Sequence, residues 1–95
     1  MERHIRRMFP ESPGQAVAIA NCESGLTPTA FNPDNYNGTV DRGLWQINSV
    51  HDSTLENLGL DPWDVEDATK FARMLYEKNG WQDWVCHTKR LAYKR

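Results

Sequence analysis

The chain has 95 residues, a formal net charge of −2, 39% hydrophobic residues and two cysteines. That length holds a single domain, residues 1–95, with a core small enough to leave a thin stability margin. The composition excludes a membrane-spanning helix, which needs roughly 18 consecutive apolar residues, and Met1–Pro10 lacks the apolar run of a secretory signal.

Charge is unevenly spread. Arg3, Arg6 and Arg7 stand near the start, Lys89, Arg90, Lys94 and Arg95 near the end, and the residues between are strongly acidic. An acidic middle opposes nucleic-acid binding, whose affinity comes from clustered Lys and Arg. The basic ends read either as solvated handles or as contacts to an anionic surface such as a cell wall. The domain core is placed at residues 12–86, with a basic extension on each side and no internal repeat or linker.

The first predicted element opens at Ser12-Pro13-Gly14-Gln15. Serine suits the N-cap, proline the first helical position, and Gln15, three residues after Ser12, completes a capping box. Ala16 to Cys22 is nearly all apolar, as in a helix buried on most sides, and Gly25 and Pro28 end it. Glu23 falls in the last turn. Thr27-Pro28, Asn32-Pro33-Asp34-Asn35 and Asn37-Gly38 then mark a small irregular hairpin around Asn37-Gly38. Leu44-Trp45-Gln46-Ile47 is a compact apolar run, and a short helix is expected from Ser53 to Leu58 with Gly59 as its C-cap. From Asp64 to Asn79, the residues Val65, Ala68, Phe71, Ala72, Leu75 and Tyr76 recur every three or four positions, the stripe of a helix lying on a core. Trp81 and Trp84 follow, with Cys86 close behind. The fold class is α+β, mainly α, with a small hairpin inserted between helices.

Glu23 demands an account. An acid beside Ala16, Val17, Ala18, Ile19, Ala20 and Cys22 either points to solvent or sits buried with a raised pKa. Its context bears on the choice. Cys22-Glu23-Ser24-Gly25-Leu26, then Ala30 and Asn32, then Asp41-Arg42-Gly43-Leu44-Trp45-Gln46-Ile47-Asn48-Ser49, resemble the active-site region of the lysozyme superfamily, lytic transglycosylases and animal-type lysozymes included. Asp67-Ala68 leading to Ala72, Leu75 and Tyr76, then Gly80-Trp81 and Trp84-Val85, are similar to the late helix and tryptophan segment of those enzymes. The resemblance covers residues 16 to 86 and implies a lysozyme-like fold.

Carried over residue by residue, the resemblance makes Glu23 the general acid that protonates a glycosidic oxygen, a task for a carboxyl still protonated near neutral pH. Trp84 then forms its apolar pocket. Asp41, 18 residues on, matches the second carboxylate of animal-type lysozymes, which most lytic transglycosylases lack; a turn role or an ion pair with Arg42 is the other reading, and Asp34 is a second candidate, although Asn-Pro-Asp-Asn also reads as a plain turn. Ser24 is a candidate substrate-binding residue, and Tyr76 matches the family position whose hydroxyl lies near the acid, although it lies on an apolar stripe; Gln46 and Asn48 alternate with Leu44, Trp45 and Ile47 so that their amides can face a cleft and bind sugar hydroxyls, or else cap backbone groups. Trp45 and Trp81 read as sugar-stacking surfaces or as core. Asp67 departs from the Asn that relatives usually carry.

Cys22 and Cys86 resemble the disulfide pair of resuscitation-promoting factors, which implies a bridge and an oxidising destination. Two buried free thiols are the alternative. His4, His51 and Cys86-His87 lack the spacing of a metal site, so no metal and no cofactor is expected. The resemblance implies a monomeric domain acting on peptidoglycan glycan strands at the bacterial cell wall, extracellular or periplasmic. It would be carried there by a phage lysis system, a phage tail or a parent protein. Two function classes stand: a glycosidase or lytic transglycosylase cleaving the β-1,4 bond between N-acetylmuramic acid and N-acetylglucosamine, and a wall-binding or assembly module without turnover. Asp41 tilts the enzyme reading toward hydrolysis.

Overall fold

The computed structural model describes residues 1–93, so Lys94 and Arg95 of the basic C-terminal extension lie outside the described residues. Helices dominate. In chain order they are α1 (Glu2–Met8), α2 (Pro13–Ser24), α3 (Asp52–Leu58), α4 (Val65–Asn79) and α5 (Val85–Thr88). Two 3₁₀ turns, Ser49–His51 and Leu91–Tyr93, complete the helical set. Between α2 and α3 lies a three-stranded antiparallel sheet of two-residue strands, β1 (Phe31–Asn32), β2 (Asp41–Arg42) and β3 (Ile47–Asn48). The α+β, mainly α reading holds.

α2 begins at Pro13 and stops at Gly25, whose φ of 64° closes the helix in the left-handed region. The expected capping box does not form. Ser12 Oγ is buried without a partner among the described residues, and Gln15 Nε2 donates instead to the Tyr93 hydroxyl at 2.8 Å. Pro13 at the first helical position removes one of the free N–H groups of that turn, and the Gln15 contact ties the start of α2 to the C-terminal segment. In α4 the signal is local and it works: Asp64 accepts from Asp67 N–H at 2.9 Å. Asp67, the departure from the family pattern, also accepts from Asp61 N–H at 3.0 Å and braces the loop before the helix.

The hairpin expected around Asn37-Gly38 is the β1–β2 pair, with Phe31 opposite Arg42 and Asn32 opposite Asp41. The apolar run at Leu44–Ile47 forms the turn after β2 and ends in the third strand, which places Asp41 opposite Asn48. Gly43 makes the turn between β2 and β3 with φ 79°, and its Cα packs so near the Pro62 carbonyl that only glycine fits.

The core gathers Ile19 and Ala20 of α2, Leu44, Trp45 and Ile47, Phe71 and Ala72 of α4, then Trp81 and Trp84. It reaches beyond 12–86. Ile5 and Phe9 are wholly enclosed, Phe9 lying 5.4 Å from Trp45 and 5.0 Å from Trp81 between ring centroids. The N-terminal basic segment is therefore a helix with its arginines outward and one apolar edge in the core. Arg73 of α4 stacks over Phe9 and Tyr76 and grips Glu11, fastening the α1–α2 connection. Cys22 and Cys86 are bridged, 64 residues apart in sequence with Cα atoms 6.1 Å apart. The bridge joins the end of α2 to α5.

Candidate active site

The end of α2, the sheet and the segment before α5 enclose a cleft of about 90 Å³. Its polar wall is Glu23, Asp41, Gln46, Asn48, His51 and Asp83; its apolar wall is Ile47, Leu75, Trp84 and Val85. A hollow of about 220 Å³ continues it along α4, sharing His51, Leu75 and Asp83.

Glu23 is brought to this cleft by Gly25, which ends α2, and by Ser24, whose hydroxyl bonds the Leu44 carbonyl at 2.7 Å and the Ala20 carbonyl at 3.1 Å. The carboxyl is half-buried beside Trp84, and Oε2 accepts from Cys86 N–H at 3.2 Å. Burial pushes its pKa above the ordinary glutamate value; the Cys86 amide pulls the other way, and the charge of Asp41 adds to the rise. Trp84 is itself fixed, its Nε1 donating to the Trp45 carbonyl at 3.1 Å.

Asp41 lives in a different environment. Oδ1 accepts from Asn48 Nδ2 at 3.0 Å and Oδ2 from Asn35 Nδ2 at 3.1 Å, so both oxygens are oriented by amides. The ion pair with Arg42 does not form, because side chains of adjacent strand residues face opposite ways; Arg42 pairs with Asp52 at 2.6 Å. Asp34 stays in the exposed loop, away from the cleft wall.

The other sequence-derived positions divide by geometry. Gln46 and Asn48 line the cleft, yet their amides are engaged. Gln46 Nε2 donates to the Ala30 and Gly43 carbonyls at 3.2 and 2.9 Å, which leaves its Oε1 for a ligand. Gln46 also carries a positive φ of 51°, a strain held at the edge of the site. Asn48 binds Thr39 and Asp41 through Nδ2 and caps Val50 N–H through Oδ1. Trp45 and Trp81 are core rather than sugar platforms: Trp45 is fully enclosed and donates to Thr69, Trp81 is 5% exposed, and the two indoles stack on each other. Tyr76 packs on Phe9 and Trp81, and Ser24 is bound to backbone; neither lines the cleft. His51, Asp83 and the Asn35 clamp on Asp41 were not singled out as site residues in the sequence. His51 follows the Leu44–Asn48 run by three residues and rests edge-on against Phe71, a signal of proximity that spacing could have given.

Residues 9–86 match the lysozyme-like domain family. The chain belongs to that family, which usually acts enzymatically on peptidoglycan. No curated protein and no solved structure matches it.

Proposed function

We propose that this domain is a muramidase that cleaves the β-1,4 bond between N-acetylmuramic acid and N-acetylglucosamine, with Glu23 as general acid. One observation carries the reading: two carboxyls share a cleft in different environments, Glu23 half-buried on a wall that includes Trp84, and Asp41 clamped by two amides. Such a division suits the half-buried carboxyl to donating a proton, while the amide clamp fixes where the other carboxyl stands. Glu23 gives its proton to the glycosidic oxygen as the bond breaks, and Asp41 faces the positive charge that develops on the sugar ring. A water completes hydrolysis, and Glu23 recovers its proton from it.

A lytic transglycosylase is the second reading. There the muramic acid 6-hydroxyl replaces water, and the product is lighter by one water. The position of Asp41 on the cleft wall favours hydrolysis, and Gln46 with the hollow beyond His51 supports the binding of a polymer rather than a single sugar. The bridge suits an oxidising site of action at the wall.

Purified peptidoglycan is digested with the wild type and Glu23→Gln, and released muropeptides are weighed by mass spectrometry. Reducing-end products that vanish in the variant are expected. Anhydro products would select the transglycosylase reading, and no release from a folded, bridged wild type would leave a wall-binding module.

A further inference from the structure

We propose that the Cys22–Cys86 bridge positions the general acid, so that Glu23 serves as an acid only in the oxidised protein. The inference rests on the reading of Glu23 given above, and it adds a regulation of that site. Cys22 directly precedes Glu23 on α2, and Cys86 on α5 donates its main-chain N–H to Glu23 Oε2. The bridge therefore joins the residue beside the acid to the residue whose amide holds the acid.

α5 has four residues, too few to persist as a helix without outside support. Trp84, tied to the Trp45 carbonyl, fixes where the turn begins. On its far side, His87 Nδ1 meets the Tyr93 hydroxyl at 2.8 Å, and that hydroxyl accepts from Gln15. Neither tie is a hydrogen bond to Glu23, whose carboxylate accepts from Cys86 alone on this segment. The bridge is the covalent link that sets how closely the Cys86 amide approaches the end of α2.

Reduction by a dithiol delivers two electrons and two protons. The S–S bond breaks, thiols form on Cys22 and Cys86, and the reductant closes to a cyclic disulfide. The turn is then free to draw back from Trp84, which stays tied to the Trp45 carbonyl, and it carries with it the amide donor and the wall that Val85 builds beside the carboxyl, so that water reaches Glu23 from that side. Burial outweighs the amide in setting the proton affinity of Glu23, so its loss returns the carboxyl toward the ordinary glutamate range. Asp41 on β2, His51 ahead of α3 and Asp83 ahead of Trp84 are the titratable groups facing Glu23 across the cleft. None of them is joined by the bridge.

The test compares oxidised protein with protein reduced by dithiothreitol, both at 10 °C in sucrose, which favours the compact state. Glu23 is titrated by carbon-13 NMR of its carboxyl, and release from peptidoglycan is followed across pH. The Glu23 midpoint is expected to fall on reduction, and release at neutral pH to drop roughly tenfold for each unit of that fall. Release at acid pH is expected to change far less. Tyr93→Phe cuts the other tie on α5 and keeps the bridge; its Glu23 midpoint and pH profile are expected to match the wild type. An unchanged midpoint in folded, reduced protein overturns the proposal. So does loss of the native near-ultraviolet circular dichroism on reduction, which makes the bridge a staple of the whole fold. If the oxidised protein releases nothing, the reading of the activity fails, while the titration still decides what the bridge does to Glu23.

Discussion

Glu23 sits where its charge opposes folding. Its carboxyl is half-buried beside an indole, so the folded state binds its proton more tightly than the unfolded chain does. A raised folded pKa contributes stability that is full below the ordinary glutamate value of 4.5 and is lost as pH rises through the folded value. Glu23→Gln, whose Oε1 can still accept from Cys86 N–H, is therefore expected to gain stability over the wild type as pH rises, with the gap closing in acid. Denaturant melts of both proteins at pH 4 and pH 8 measure it. Trp84→Phe removes part of the apolar wall and the hydrogen bond to the Trp45 carbonyl. The alkaline limb of the activity profile is expected to shift to lower pH, with a loss of about 1–3 kcal/mol for the carbonyl left without its donor. An unshifted limb would assign the pKa of Glu23 to something other than Trp84. That Glu23 and Asp41 line one cleft was legible only through the family motif around each of them. Which way Ser24, Tyr76, Trp45 and Trp81 face was not, because a residue type that binds sugar also packs well in a core.

At the scale of elements, helix ends were the most legible features. Gly25, Gly59 and Gly80 all stop helices with positive φ, where the sequence places them. α1 was not legible as core, since Arg3, Arg6 and Arg7 mask a single inward edge. Ile5→Ala is expected to cost about 2–4 kcal/mol in chemical denaturation, far more than a solvated extension would. Glycines give a paired expectation. Gly14→Ala, in open space within α2, is expected to stabilise by about 0.5–1 kcal/mol. Gly43→Ala drives a Cβ into the Pro62 carbonyl at positive φ, and is expected to destabilise by more than about 2 kcal/mol and disturb the β2–β3 turn that carries Asp41. Arg73 holds the Glu11 carboxyl at about 2, chiefly through hydrogen bonds. That stabilisation is present above pH 4.5 and is lost as pH falls toward 2, so Glu11→Gln is expected to flatten the acid limb of stability.

Across the whole molecule, the bridge is the largest single constraint. Closing a loop between residues 64 apart removes roughly 4 kcal/mol of unfolded-state entropy, against a total of about 5–14 kcal/mol for a domain of this size. Reduction is expected to lower Tm by about 15–30 °C without abolishing the fold, as read by scanning calorimetry with and without reductant. The sequence by itself determined the glycine stops of α2, α3 and α4, the apolar stripe of α4 and the family, because each rests on contacts within a few residues or on a motif. Only the tertiary structure decided the rest. It put Phe9 between Trp45 and Trp81, turned Arg42 to Asp52 and away from Asp41, closed two amides on Asp41 and set the Cys86 amide on Glu23. Those outcomes depend on which surfaces of distant elements meet, and no local pattern records that.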